Sequence, residues 1–256
     1  MSRFLIATFP ATGHVNPALP IANTLIRRGH AVVWYTGKEY QHKVEATGAH
    51  FLPIQAADAD IHTLEQRFPE ARELTGLAAF KFGLKHVFID PVPGQIADVQ
   101  QILREFPADV LLVDTGFMSA GMLHELGGPI WATFGITALT LSSRDTAPFG
   151  TGLPPETTLR GRLRNQVLNA LMQRVLFRDV QRHLQQMRAR LGLPRGGTQV
   201  LNSTLSPYLY LQSSTPAFEY PRSDLPPQVH FIGPLLPPLP VEFTPSAWWN
   251  DMHAGL

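Results

Sequence analysis

Two residues of this chain, His14 and Asp114, could act together as a general base and the carboxylate that orients it. His14 lies in the segment Ala11-Thr12-Gly13-His14-Val15-Asn16-Pro17, which follows the apolar run Phe4–Phe9. Asp114 directly follows the apolar run Val110–Val113. In a sheet of parallel strands, ligands bind outside the carboxyl ends of the strands. If both runs are strands of one such sheet, the carboxylate could fix the tautomer of the imidazole and balance its charge after it takes a proton.

Each of these two residues also has an ordinary structural interpretation. A lone histidine in a loop is often only a polar surface residue, and an aspartate after a strand is often a helix N-cap or a turn residue. The position of His14 after the first strand gives the functional interpretation equal weight, because Gly13 permits a tight turn and Pro17 suits the first turn of a helix, so that a rigid loop would hold the imidazole at the edge of the sheet. From the residues alone, both interpretations stay open.

Other site chemistries lack their motifs. The loop contains one glycine, Gly13, and therefore matches neither the Gly-x-Gly-x-x-Gly dinucleotide fingerprint nor the phosphate-binding P-loop. This argues against an oxidoreductase or epimerase with a nicotinamide site. There is no Gly-x-Ser-x-Gly segment of the kind found in serine hydrolases. The chain has no cysteine, and no cluster of His, Asp and Glu has a metal-ligand spacing, so no metal site is predicted.

The composition is that of a globular protein with a sizeable core. The chain has 256 residues, of which 44% are hydrophobic, and its net charge of +1 gives no indication of a nucleic-acid partner. The apolar run at the start is short for a signal peptide and is broken by Pro10. No apolar stretch reaches the roughly 18 residues of a membrane span. We therefore expect a cytoplasmic protein.

Short apolar runs alternate with helical patterns along the chain, which is typical of a parallel sheet covered by helices on both faces. The predicted fold is α/β, a Rossmann-like, doubly wound parallel sheet. The predicted strands lie near residues 4–9, 31–35, 51–54, 110–113, 129–134, 208–212 and 229–232, and the predicted helices near residues 17–28, 39–47, 94–105 and 119–126.

Other segments are less regular. Residues 56–90 are expected to hold one or two helices, residues 142–155 form a polar loop, and residues 163–191 form one long helix or a helical pair. Two charged groups are expected to be solvated, one on a helix face and one at a helix start: Lys81, Lys85 and His86, and Arg160, Arg162 and Arg164.

The last forty residues are rich in proline. Nine of the 23 prolines fall between Pro216 and Pro245, and the run from Pro234 to Pro240 is expected to be stiff and extended. Trp248 and Trp249 follow near the end of the chain. Two interpretations remain: a tail that folds back on the domain, or a linker between domains that is cut at the start of a second domain.

Several of these segments resemble a known family. The segment from Phe4 to Pro17, with Thr12-Gly13-His14-Val15-Asn16-Pro17, resembles the start of the GT-B glycosyltransferases that use UDP- or dTDP-sugars, above all the bacterial macrolide and antibiotic glycosyltransferases. The segment 108–114 is similar to the strand that carries the partner acid in that family. Phe231-Ile232-Gly233-Pro234 resembles the approach to the interdomain linker. The resemblance implies that residues 1–235 are a Rossmann-like acceptor-binding domain and that residues 236–256 are the linker and the start of an absent nucleotide-sugar-binding domain.

The resemblance also implies a reaction and its participants. His14 would take a proton from a hydroxyl of a small lipophilic acceptor and Asp114 would orient it, in an inverting transfer of a sugar from a nucleotide sugar, without a metal or a resident cofactor. Thr12, Gly13 and Asn16 would form the loop that contacts the donor. Apolar and aromatic side chains from two irregular regions are expected to line the acceptor pocket: Phe80, Phe82, Phe88, Phe117, Met118 and Phe149.

The resemblance leaves a second function open. A non-catalytic binding or auxiliary module could keep the acceptor-domain fold and regulate a complete partner enzyme. Retention of both His14 and Asp114 favours the enzyme, whereas the missing donor half favours the module for this chain taken alone. The isolated chain is expected to be inactive, and its aromatic end is expected to fray or to associate with another chain.

Overall fold

A computed structural model describes residues 1–57, 66–196, 198–237 and 244–253 of the chain. The predicted irregular region at residues 56–90 and the predicted linker at residues 236–256 therefore lie partly outside the described residues. The described part contains a sheet of seven parallel strands in the order β3-β2-β1-β4-β5-β6-β7. Its strands are β1 (Arg3–Ala7), β2 (Ala31–Thr36), β3 (His50–Pro53), β4 (Val110–Asp114), β5 (Ile130–Gly135), β6 (Leu209–Gln212) and β7 (Val229–Phe231). The predicted fold class is confirmed.

Helices connect the strands. The α-helices are α1 (Thr12–Val15), α2 (Ala18–Arg27), α3 (Gln41–Glu45), α4 (Gly76–Phe82), α5 (Val92–Glu105), α6 (Ala120–Glu125), α7 (Leu159–Leu171) and α8 (Arg178–Arg190). Wider π-helical turns extend α4 through Gly83–Ile89 and α7 through Met172–Leu176. The helical stretch predicted near residues 163–191 is therefore a pair of helices. Short 3₁₀ segments lie at Lys38–Tyr40, Pro69–Glu73, Val200–Asn202 and Ala247–His253.

Apolar side chains cover both faces of the sheet, which explains why the inner strands are continuous hydrophobic runs. Successive residues of a strand point to opposite faces. In β1, Leu5 and Ala7 therefore join one core cluster while Ile6 joins the other. Helices α5, α6 and α8 contribute to the first cluster, and α2 and α3 contribute to the second.

The order in which successive strands join the sheet reverses at β1, because β2 and β3 lie on one side of it and β4 to β7 lie on the other. Strand β2 pairs with one side of β1 and β4 pairs with the other side. In open α/β sheets, the crevice at the carboxyl ends of the strands on either side of such a reversal is the preferred place for a ligand. The loops that follow β1 and β4 meet at this point.

The end of the described chain does not enter the core. Trp248 is exposed and its ring centroid lies 5.7 Å from that of the half-buried Trp249. Neither indole is among the buried core residues. Among the described helices, none is long and apolar enough to cross a membrane.

Candidate active site

His14 and Asp114 meet at the carboxyl edge of the sheet. His14 belongs to α1, directly after β1, and Asp114 is the last residue of the neighbouring strand β4. The Nδ1 atom of His14 and the Oδ2 atom of Asp114 are in direct hydrogen-bond contact. Residues 100 positions apart in the sequence are thus brought together by the parallel register of two strands.

The carboxylate of Asp114 is fully buried and held by main-chain donors. The N–H of Phe9 donates to Oδ1 at 3.0 Å, and the N–H of Gly116 donates to Oδ2 at 3.0 Å. With the contact to His14, each oxygen has at least one donor, which offsets the cost of burying the carboxylate. The side chain of Asp114 does close its own turn, but helix α6 begins only after Ser119. It is therefore a turn residue that also holds His14, and it does not cap the following helix.

The imidazole of His14 has one fixed nitrogen and one available nitrogen. Its ring packs against Phe9 and Phe88, with centroid distances of 5.1 and 6.3 Å. An ionised carboxylate can only accept, so Nδ1 must donate to Asp114. The neutral ring then carries its lone pair on Nε2, as a general base requires.

Gly116 is a feature of the site that the sequence analysis missed. A Cβ atom at this position would lie 2.7 Å from Cε1 of His14, 2.8 Å from Nδ1 of His14 and 2.9 Å from Cβ of Phe9. Side-chain carbon atoms do not approach so closely, so the absence of a side chain at Gly116 is what allows the imidazole to reach Asp114. A glycine two residues after the predicted acid was the available signal.

His14 opens onto a cleft of about 230 Å³. The loops after β4 and β5, the segment that extends α4, and the 3₁₀ turn Val200–Asn202 form its walls. Four of the six predicted acceptor-binding residues line it: Phe80, Phe88, Met118 and Phe149. The structure places the other two elsewhere. Phe117 is buried in the core against Tyr35, and Phe82 packs against Phe68 and His86.

The aromatic wall from α4 and its extension is attached to α8 by polar contacts. Lys81 and Lys85 both donate to Asp179, at 2.7 and 2.5 Å. Asp90 accepts from His86 at 2.7 Å and from His183 at 2.6 Å. The expectation of a solvated face for Lys81, Lys85 and His86 is therefore wrong, because both lysines pair with a residue of α8 and His86 pairs with Asp90, which is itself bound to α8 through His183.

Two of the three arginines at the start of α7 are also not simply solvated: Arg164 donates to Oδ1 of the buried Asn165 at 3.0 Å and to the carbonyl oxygen of Pro154 at 3.2 Å. Arg162 donates to the buried Asp145 at 2.8 Å, and the N–H of Ser223 donates to the same carboxylate at 2.6 Å. Hydrogen bonds from Ser223 are the main cause that lowers the pKa of Asp145 to about 2; burial opposes the shift and Arg162 adds to it. These contacts join the loop after β5 to the loop after β6.

The three residues predicted to contact the donor are near His14 in the sequence, Thr12 and Gly13 in α1 and Asn16 directly after it. Thr12 and Gly13 are exposed, and a Cβ atom at Gly13 would meet nothing within 4 Å. The hydroxyl groups of Thr12 and Tyr40 are 3.3 Å apart, and Lys43 donates to Asn16 at 3.1 Å. The geometry leaves open space beside the loop.

Comparison with known proteins identifies the relationship of this chain. Residues 4–122 match the glycosyltransferase family 28 N-terminal domain. The chain is 44% identical to 4'-demethylrebeccamycin synthase of Lentzea aerocolonigenes, over 99% of this chain and 61% of that protein. It is homologous to the bacterial antibiotic glycosyltransferases of the GT-B fold. UDP-glycosyltransferase 2 of Phaeomoniella chlamydospora is a further relative, at 35% identity over 96% of this chain and 56% of that protein.

Solved structures show the same glycosyltransferase fold. The glycotransferase of kitacinnamycin superimposes with a TM-score of 0.60 at 19% identity, over 96% of this chain and 55% of that one. The calicheamicin glycosyltransferase superimposes with a TM-score of 0.61 at 17% identity, over 91% of this chain and 53% of that one. The chain thus spans little more than half the length of the proteins it matches. Members of this family use a nucleotide sugar as co-substrate.

No metal centre accompanies the candidate site in the part of the chain that the structure describes. Its residues contain no group of three or more His, Cys, Asp or Glu side chains that could hold a metal ion.

Proposed function

We propose that this chain supplies the acceptor-binding and general-base half of an inverting glycosyltransferase. The proposed reaction moves a sugar from a UDP- or dTDP-sugar to a hydroxyl of a small lipophilic acceptor. The observation that carries the proposal is the contact between His14 and the buried Asp114 at the mouth of an apolar cleft. Homology to enzymes that glycosylate natural products supports the choice of reaction.

In the proposed mechanism, the acceptor lies in the cleft with its hydroxyl group near Nε2 of His14. Nε2 takes the hydroxyl proton as the oxygen attacks the anomeric carbon of the sugar. The bond from that carbon to the nucleoside diphosphate breaks from the opposite face, and the diphosphate leaves with the electron pair. Asp114 stabilises the imidazolium that forms, and the proton then passes to solvent. The nucleotide sugar supplies the sugar and the leaving diphosphate, and this chain supplies the base and the carboxylate that orients it.

The walls of the cleft suit an acceptor with little charge. Aromatic and aliphatic side chains from Phe80, Leu84, Phe88 and Met118 face it. Burial of an apolar ligand against such surfaces removes both from water and lowers the free energy of the complex. In the proposal, Thr12, Gly13 and Asn16 face the donor, and residues 1–235 form the acceptor domain.

The test is a change of the proposed base in an active transferase that carries these residues. His14→Ala should lower the turnover on an ordinary alcohol by about 10²–10⁴, the contribution of a general base. An acidic phenol or a thiol, already ionised at the assay pH, should lose much less. His230→Ala, which removes an exposed histidine of β7, is the control and should leave both rates unchanged.

The difference between the two acceptors decides the proposal. Equal losses on alcohol and phenol, with acceptor binding intact, would make His14 structural and the proposed mechanism wrong. We also expect residues 1–256 assayed alone to transfer no measurable sugar, because positioning of the donor supplies much of such a rate. Robust turnover by residues 1–256 alone would contradict that expectation.

A further inference from the structure

Beside the acceptor cleft lies a second and larger space, which we call the side chamber. It has a volume of about 520 Å³, and two loops line it. One is the loop after β5, with residues 138, 139, 141 and 146–153; the other is the loop after β6, with residues 218–220 and 222. The side chamber therefore lies on the same carboxyl edge of the sheet as His14.

The acceptor cleft and the side chamber share a wall. Phe149 lines both spaces, and the segment 136–141 contributes Thr137 and Thr140 to the cleft and Ala138 and Leu139 to the chamber. A molecule that has its reacting group at His14 could therefore extend past Phe149.

The surface of the side chamber is aromatic and unusually exposed. Phe218 is 75% exposed and Tyr220 is 51% exposed, although both line the chamber. Phe149 is 43% exposed at the boundary. Large apolar side chains that are exposed to solvent around one cavity indicate a binding site for an apolar ligand or surface.

The loops that form the chamber are fixed before anything binds. Buried Glu219 accepts from the N–H of Leu139 at 3.1 Å, and Arg222 donates to the carbonyl oxygen of Leu139 at 3.0 Å. Asp224 accepts from the hydroxyl of Ser143 at 2.6 Å. These contacts tie the loop after β5 to the loop after β6, so the chamber does not have to be ordered by its ligand, and binding there loses little conformational entropy.

The volumes of the cleft and of the side chamber indicate how large an acceptor each could hold. Pockets that hold a drug-sized ligand measure roughly 300–1,000 Å³. The acceptor cleft alone, at about 230 Å³, is smaller than this range. Together with the side chamber it offers about 750 Å³, which lies well inside the range.

We propose that the acceptor is an elongated, largely aromatic molecule whose hydroxyl end lies at His14 and whose distal end stacks on Phe218 and Tyr220 in the side chamber. This inference rests on the proposed function, since it extends the same acceptor site. The charged groups at the floor, Glu219 and Arg222, are paired at 3.5 Å and engaged with the main chain. The distal end is therefore expected to be uncharged.

The experiment compares two probes that share one reacting hydroxyl. The probes are 2-naphthol and 6-benzyloxy-2-naphthol, whose benzyl arm lies opposite the hydroxyl group. Their dissociation constants for the purified chain are measured by calorimetry without a sugar donor. The wild-type chain should bind the longer probe more tightly. Phe218→Ala and Tyr220→Ala should each weaken the longer probe roughly tenfold, the value of about one aromatic contact, and 2-naphthol less than twofold.

Three further variants keep the outcome interpretable. Leu163→Ala removes a similarly exposed apolar side chain of α7 and should change neither constant. Phe149→Ala should weaken both probes, because Phe149 lines both spaces. Since Phe218 is mostly exposed, its truncation should not prevent folding, which the melting temperature verifies; Phe218→Glu at the same place should weaken the longer probe at least as much.

Each failure has a different meaning. Tight binding of 2-naphthol together with unchanged binding of the longer probe in Phe218→Ala and Tyr220→Ala would overturn the side chamber and leave the proposed function standing. The side chamber is also overturned if the variants alter the melting temperature or self-association but not the binding of either probe. Phe218 and Tyr220 would then contact other protein surface and not the acceptor. If the wild-type chain binds neither probe, the aromatic acceptor assignment is wrong, while the His14→Ala test still decides the base.

Discussion

Asp114 and Asp90 each contact a histidine in the described structure, but the two sites differ in what surrounds them. Asp114 is fully buried, binds two main-chain N–H groups and holds one imidazole. Asp90 is about one quarter exposed and bridges two imidazoles, those of His86 and His183. His14 lines the apolar cleft, whereas His86 is packed between Phe68 and Phe82.

The difference shows which features make a His–Asp pair suitable for catalysis. A catalytic base needs one nitrogen fixed by a carboxylate and the other facing the substrate. Asp114 provides this through a carboxylate that main-chain donors prevent from moving. Asp90 joins α8 to the segment that carries Phe88, so its effect on the reaction is expected to be indirect. This difference supports the proposal that the first site carries the catalytic base, and it favours support of the cleft wall as the role of the second.

The largest expected effect comes from exchanging each aspartate for asparagine in an active transferase. Asp114→Asn should lower turnover by up to about 10⁴, the loss that the same change causes in the serine protease triad. An amide in this place puts an N–H group against a donor and favours the wrong imidazole tautomer. Asp90→Asn should change turnover less than about threefold. Steady-state rates at saturating donor measure both, and similar losses in the two variants would remove the distinction between the sites.

A second, smaller effect concerns the packing of His14. Gly116→Ala would bring a Cβ atom within 2.7 Å of the imidazole, so the ring must leave Asp114 or the turn must shift. A misplacement of about 1 Å can cost on the order of 10² in rate. The matched control is Gly121→Ala in α6, where the new Cβ atom would lie 3.6 Å from Trp131, an ordinary contact. Full activity of Gly116→Ala would show that the geometry of the pair is not limiting.

The third effect tests whether Asp90 is structural. Asp90→Asn leaves at least one of the two histidine N–H groups without its acceptor, and we expect a loss of about 1 kcal/mol in the free energy of unfolding. The exposed pair of Arg3 and Asp109 is the control, since Asp109→Asn should cost less because the pair is solvent-screened. Urea unfolding measures both variants. If Asp90→Asn lowered turnover strongly and left the free energy of unfolding almost unchanged, the structural assignment would be wrong.

The sheet and the contact between His14 and Asp114 were predictable because they follow from local patterns. Strands buried on both faces are continuous apolar runs, and the seven predicted strands agree with the structure within about two residues at each end. His14 and Asp114 could be paired because each follows such a run, and parallel strands bring their carboxyl ends to one edge. The structure now places the two side chains in contact.

The cleft walls and the second His–Asp site were not predictable in the same way. Helix faces have no register that fixes which distant residue they meet, so nothing in the sequence joined Asp90 to His183 or Lys85 to Asp179. Residue type also does not tell which side of a segment a ring occupies. Phe117 and Met118 are adjacent, yet only Met118 lines the cleft. Gly116 contributes to the site because the absence of a side chain leaves room for the imidazole of His14.

The smallest expected effect is a pH dependence of stability at the second region. Partial burial would raise the pKa of Asp179, but hydrogen bonds from Lys81 and Lys85 outweigh it and lower the pKa to about 2. A carboxylate with a lowered pKa stabilises the fold fully above its unfolded pKa of about 3.9, and this contribution is lost as the pH falls towards 2. Asp179→Asn should therefore be less stable than the wild-type chain at pH 5, and the two should converge near pH 2.

The same titration separates the two regions. Asp179 is 42% exposed, so added salt should narrow the difference between Asp179→Asn and the wild-type chain at pH 5. His230→Ala, which removes an exposed histidine of β7, should leave the slope of the unfolding free energy between pH 4 and pH 2 unchanged, because it removes none of these charges. Chemical unfolding at a series of pH values measures the slopes. If Asp179→Asn shows the wild-type slope, the lysines do not hold the wall of the cleft through this carboxylate, and the wall must depend on its apolar contacts.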